Sequence, residues 1–118
     1  GTGVAVLLPV LLDDRDLDWA RYPGGTPLGV AAIATADLVV VPAVAVDRTG
    51  VRLGRGGGSY DRALARVGAA TPVIALLYDG ELLPALPAEP HDRRVRAVIM
   101  PATGVVYLPT SAGRTAPG

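Results

Sequence analysis

The segment "DLVVVPAVAVD" (37–47) constrains the fold more than any other part of the chain. It is apolar almost throughout and rich in β-branched valine, and Pro42 divides it into two pieces. Continuous rather than alternating apolarity indicates strand covered on both faces, as in a parallel sheet. A glycine-rich loop follows, and then a helical pattern. Tyr60, Ala63, Leu64 and Val67 recur at i, i+3, i+4 and i+7, with Asp61, Arg62 and Arg66 off that face. Gly68 supplies a stop signal, and "PVIALLYDG" (72–80) reads as another buried strand ending in a turn. Strand, loop, helix, strand is the βαβ order, which predicts a mostly parallel sheet with right-handed crossovers.

The flanking segments fill out the same plan. Val4–Leu8 reads as a buried strand that resumes at Val10–Leu12 beyond Pro9. "DDRDLDWARYPGGTP" (13–27) is a polar, turn-rich loop with room for one helical turn, and "LGVAAIATA" (28–36) is a short helix. "ELLPALPAEPHDRR" (81–94) carries three prolines and reads as an extended surface loop. Val95, Ala97 and Ile99 alternate with Arg94, Arg96 and Val98, which predicts a strand half exposed or near a sheet edge. "VVYLP" (105–109) is a last short strand. The expected fold is α/β: one small domain over residues 1–110, with a mostly parallel sheet flanked by helices in a Rossmann-like three-layer arrangement. Residues 111–118 read as a flexible tail.

Bulk properties narrow the functional classes. The chain has 118 residues, enough for one core, and 50% of them are hydrophobic, which excludes general disorder. Formal net charge is zero, so no overall field recruits nucleic acid or an anionic membrane. Absence of cysteine excludes disulfides and thiolate metal sites and fits the cytoplasm. No apolar run reaches the ~18 residues that span a bilayer. The opening "GTGVAVLLPVLL" has no basic n-region, lacks Met and enters a strand almost at once, so residues upstream are expected to be missing.

The stretch "GVRLGRGGGSYDRALARV" (50–67) carries the chemistry. Glycines allow positive φ and close approach of a ligand to the backbone, so successive N–H groups can form an anion-binding nest. The following helix start adds unpaired N–H groups. Arg52 and Arg55 add forked cationic donors suited to phosphate, and Ser59 is placed to cap the helix or donate its hydroxyl. The loop is not a P-loop, because no lysine follows its glycines. Nor is it the dinucleotide fingerprint, because Gly54 and Gly56 fit two positions but the third falls on Ser59. A plain glycine turn with solvated arginines is the competing reading. Asp61 alone reads as a dipole-favoured surface carboxylate or as a magnesium ligand beside phosphate. Tyr60 reads as core or as a ligand contact. His91, the only histidine, and Asp92 read as loop residues, and Trp19 and Tyr22 as half-buried aromatics able to stack on a flat ligand.

The joint pattern goes further. "ADLVVVPAVAVDRTGVRLGRGGGSYDRAL" (36–64), with "LPAEPHDRRVRAVI" (86–99), closely resembles the 5-formyltetrahydrofolate cyclo-ligase family. That resemblance implies an enzyme using ATP and magnesium to close 5-formyltetrahydrofolate to 5,10-methenyltetrahydrofolate, with release of ADP and phosphate. By position, Arg52, Gly54, Arg55, Gly56, Gly57, Gly58 and Ser59 would line the ATP phosphates and the formyl region. Tyr60 would close the site, Asp61 and Asp92 would attend the magnesium, and Arg55 would stabilise charge during transfer. It also implies a cytoplasmic monomer whose partners are a reduced folate and ATP. Ser59 departs from the family's usual tyrosine, no amino-terminal basic segment is matched, and "RYPGGTPLGV" (21–30) is short where the family has a longer folate-side loop. A truncated or degenerate relative that binds nucleotide without catalysis is therefore one alternative. A sugar-phosphate enzyme of similar architecture is another.

Overall fold

A computed structural model describes residues 3–54, 58–87 and 93–109. They fall into two compact units, Gly1–Ala36 with Gly56–Ala69, and Asp37–Arg55 with Ala70–Gly118. The segment expected as a tail, 111–118, lies outside the described residues.

The first unit is built on an antiparallel hairpin. Strand β1 (Leu7–Leu11) pairs with β2 (Leu17–Arg21), with Leu7 opposite Arg21 and Leu11 opposite Leu17. Pro9 does not break β1, because a two-stranded sheet leaves one edge without ladder bonds to donate. The expectation of a buried strand here is corrected: Leu8, Val10 and Leu11 are exposed. The burial lies instead in β2, within the segment expected to be a loop. There Leu17 and Trp19 are buried and alternate with half-buried Asp18 and Ala20. A 3-10 helix (Val30–Thr35) buries Ile33, as the short helix predicted for this segment requires. Helix α1 (Ser59–Leu64) packs on β2 and on the 3-10 helix. Ala63, Leu64 and Val67 are buried, as the i, i+3, i+4, i+7 spacing predicts.

The second unit holds two sheets. Pro42 does divide the apolar run: β3 (Val39–Pro42) and β4 (Ala45–Asp47) enter different sheets. β4 is the centre of a three-stranded sheet, antiparallel to β5 (Arg52–Leu53) and parallel to β7 (Leu82–Leu83). A four-stranded sheet runs in the order β3, β6 (Val73–Leu76), β8 (Ala97–Met100), β9 (Gly104–Tyr107). Its first three strands are parallel and β9 is antiparallel to β8. Its core is Val39, Val41, Val73, Ala75, Ala97, Val98 and Met100.

The architecture is thus α/β with mixed sheets and few helices; among the described residues one α-helix and one 3-10 helix appear, of six residues each. β8 lies one strand in from the sheet edge, near an edge as one of the two expected alternatives had it, and is not half exposed. β9 folds back beside it, so Ala97, Val98 and Met100 are buried and the exposed positions pass to Val105 and Tyr107 of β9. The proline-rich segment 81–94 opens with β7 rather than being loop throughout. No helix among the described residues is long and apolar enough to cross a membrane.

Candidate functional site

The glycine loop starts from a turn that β4 imposes. Asp47 ends β4, and its backbone N–H donates to the Val51 carbonyl at 2.9 Å. Gly50 holds φ at +91°, and its N–H donates to the Asp47 carbonyl at 3.0 Å. A Cβ at Gly50 would lie 2.5 Å from the Val95 carbonyl oxygen, so both the conformation and the contact require glycine. The chain then enters β5, where the Val44 N–H donates to the Leu53 carbonyl at 2.8 Å. β5 is an antiparallel strand. The strand directly before the loop is therefore not one of the parallel strands that the βαβ order predicts.

Arg52 and Gly54 are brought together. A Cβ at Gly54 would stand 2.9 Å from Arg52 Nη1, so the missing side chain leaves the space that the guanidinium occupies. Arg55, Gly56 and Gly57 lie outside the described residues. On the far side, Gly58 sits in the left-handed region (φ +73°, ψ 10°) and is the N-cap of α1. Ser59 is accordingly the first helical residue, not the cap expected of it, and no side chain caps the helix. Glycine makes the left-handed entry without Cβ penalty, which moves the boundary one residue earlier. Tyr60 is half-buried and begins the face continued by Ala63 and Leu64, and Asp61 is exposed in the first turn.

Helix α1 is tied down within its own unit. Arg66 donates from Nη1 and Nη2 to the two carboxylate oxygens of Asp16, at 2.7 and 2.8 Å. Arg62 Nη1 donates to the Asp14 carbonyl at 2.6 Å. The Arg66 hydrogen bonds hold the Asp16 carboxyl down at about 2, against an ordinary 3.8, and Asp16 in turn raises Arg66.

The residue that sequence reasoning missed is Asp47. It is 2% exposed, the only charged side chain buried among the described residues. Oδ1 accepts from the Thr49 N–H (2.8 Å), the Thr49 hydroxyl (2.7 Å) and the Val51 N–H (3.0 Å). Oδ2 accepts from the Leu86 N–H at 2.7 Å. Burial pushes its pKa up, but these donors outweigh burial and the carboxyl lies below the usual range. The signal was present as an aspartate closing an apolar run before Thr and Gly, the composition of an Asx turn.

Taken separately, each unit carries groups of the class that a polyphosphate or a hard cation takes. In the second unit the Arg52 guanidinium lies over the side-chain-free Gly54. In the first, a left-handed glycine opens α1, whose first turn carries the Asp61 carboxylate, the ligand class of magnesium. No group of three or more His, Cys, Asp or Glu able to hold a metal occurs among the described residues. Asp92 and His91 lie outside them. Trp19 is buried core, whereas Tyr22 is exposed.

The sequence model of the 5-formyltetrahydrofolate cyclo-ligase family matches residues 1–101. The chain belongs to the 5-formyltetrahydrofolate cyclo-ligase family. A protein of that name from Mycolicibacterium smegmatis is 42% identical over 125 residues, covering 90% of this chain and 64% of that protein. One from Escherichia coli K12 is 36% identical over 74 residues, 62% of this chain and 41% of the other. Among solved structures, the 5,10-methenyltetrahydrofolate synthetase of Aquifex aeolicus superposes with a TM-score of 0.67 at 25% identity, over 88% of this chain and 58% of that one. The Mycoplasma pneumoniae synthetase gives 0.67 at 22%, over 81% and 56%. The chain therefore spans just under two thirds of the Mycolicibacterium cyclo-ligase and a little over half of the two synthetases, and it shares their fold.

Proposed function

We propose that the protein closes 5-formyltetrahydrofolate to 5,10-methenyltetrahydrofolate at the expense of ATP, in the presence of magnesium. The observation that carries this reading is the family match across 1–101, which takes in the whole glycine loop and the 86–99 segment. In the reaction, the γ-phosphoryl group of ATP passes to the formyl oxygen and ADP departs. The N10 amine attacks the activated formyl carbon, the ring closes, and the C–O bond breaks to release phosphate. Such transfer needs positioning and charge neutralisation more than covalent help.

The chain's own residues supply both. Arg52, laid over Gly54, and the backbone of Gly56, Gly57 and Gly58 hold the triphosphate. Arg55 neutralises charge at the transferring phosphoryl group, Ser59 offers a hydroxyl, and Tyr60 closes the site. Asp61 and Asp92 hold the magnesium, which supplies charge neutralisation at the phosphates when bound. Residues 1–110 act as one α/β domain, the parallel strands forming the centre of a Rossmann-like three-layer fold, and the enzyme works as a cytoplasmic monomer on reduced folate and ATP.

The test is direct. Full-length protein is mixed with ATP, magnesium and 5-formyltetrahydrofolate, and the absorbance of the methenyl product is followed. Growth of that chromophore supports the proposal. ATP binding by calorimetry with no chromophore would replace it with a nucleotide-binding relative that lacks catalysis.

A further inference from the structure

Among its described residues the second unit contains one buried charge, that of Asp47, and its hydrogen bonds converge on the approach to the glycine loop. Asp47 Oδ1 gathers three donors from the turn 49–51. The last of them, the Val51 N–H, belongs to the residue directly before Arg52. Oδ2 reaches across 39 positions of sequence to the Leu86 N–H. A second set of bonds clamps the same turn from the other side. The Val95 N–H donates to the Gly50 carbonyl at 2.9 Å, and Arg94 Nη1 donates to the Thr49 hydroxyl at 2.8 Å and its carbonyl at 3.2 Å. β4 itself is held on both sides, by β5 and by β7.

We infer that Asp47 is a positioning residue for nucleotide binding, fixing through the turn 47–51 where β5 presents Arg52 and Gly54. This rests on the reading of that loop as the phosphate site. Four donors face two oxygens, so only an acceptor-only group satisfies them all. An asparagine amide would turn an NH2 toward at least one of those N–H or O–H donors. The orientation that keeps the three turn donors sets the NH2 against the Leu86 N–H, so the bond that ties Asp47, and with it the turn before Arg52, to the 86 segment is lost.

Asp79 provides the internal control. Its carboxylate likewise accepts from the Ala102 N–H (2.9 Å), the Thr103 N–H (3.2 Å) and the Thr103 hydroxyl (3.0 Å), but it joins the turn after β6 to the β8–β9 turn. It is an exposed carboxylate that holds three donors to Asp47's four and has no bond to the described part of the glycine loop.

The experiment compares the protein with its Asp47→Asn, Thr49→Val and Asp79→Asn variants by ATP calorimetry, thermal melting and amide hydrogen exchange, with KM measured for ATP and folate. For Asp47→Asn, the ATP dissociation constant should rise about tenfold, with KM for folate within about twofold. Exchange should quicken at Val51 and Leu86. Thr49→Val keeps its N–H but loses the hydroxyl, and should shift ATP affinity the same way by about threefold. Asp79→Asn should lower the melting temperature and leave ATP affinity unchanged. Equal loss of ATP affinity in the Asp47 and Asp79 variants overturns the inference, because the effect then follows stability alone. So does an unmoved ATP constant in Asp47→Asn, or in Thr49→Val should the first variant not fold. Failure of the unsubstituted protein to bind ATP removes the parent reading as well, which separates the two failures.

Discussion

At the scale of single residues, the two glycines flanking β5 make opposite demands. Gly50 combines φ +91° with a Cβ that would lie 2.5 Å from a backbone oxygen, and backbone has nowhere cheap to go. Gly50→Ala should therefore destabilise the fold by about 2–3 kcal/mol, read as a drop in denaturant midpoint. At Gly54 the obstructing atom is the end of a flexible arginine. Gly54→Ala should leave the midpoint nearly unchanged while moving the Arg52 guanidinium, so ATP affinity should fall about three- to tenfold by calorimetry. A fall in stability without loss of affinity would deny Gly54 its part in the site. The sequence showed the glycines but not this difference, because it depends on which distant atoms, Val95 O or Arg52 Nη1, lie opposite each Cα. Asp47 was hidden for the same reason: its fourth donor comes from Leu86, and no local pattern records that contact.

At the scale of elements, local periodicity was legible and pairing was not. α1 follows from the 3.6-residue spacing of Tyr60, Ala63, Leu64 and Val67, and the split of the apolar run from Pro42, because both signals are local. β2 was obscured because its alternation, Leu17 and Trp19 against Asp18 and Ala20, sits among aspartates and turn residues. β5 and β7 are two residues each and exist only through their pairing with β4. The attachment of α1 to the β1–β2 turn makes a pH prediction. The folded Asp16 carboxyl, at about 2, lies below its ordinary 3.8. A depressed carboxyl contributes stability that is present above pH ~4 and is lost as pH falls toward about 2. Melting followed from pH 5 to pH 2 should show a steeper decline in the unsubstituted protein than in Asp16→Asn, whose side chain does not titrate. Parallel curves would mean that the Arg66 pair contributes nothing, as many surface pairs do. The lowered carboxyls of Asp47 and Asp79 act in the same direction and remain in the variant, so the expected signal is a difference of slopes.

At the scale of the whole molecule, the mixed topology shows how far strand order reaches. The parallel strands β3 and β6 lie where continuous apolar runs place them. β8, read from alternation, pairs parallel with β6, but β9 and β5 turn back antiparallel after tight turns. The chemistry expected of the family then fixes a stoichiometry that a phosphate cradle alone does not. If the formyl oxygen is the acceptor, each ADP formed corresponds to one activated formyl carbon, and ring closure is the only exit that yields the methenyl product. The full-length protein should therefore release ADP and methenyl product one for one, and should hydrolyse ATP negligibly without 5-formyltetrahydrofolate. ADP measured by chromatography against methenyl absorbance settles the ratio. ADP in excess would mean that water reaches the phosphoryl group, so that the loop binds the triphosphate without holding the folate against it. ATP turnover indifferent to folate would move the chain out of ligase chemistry while leaving its fold untouched.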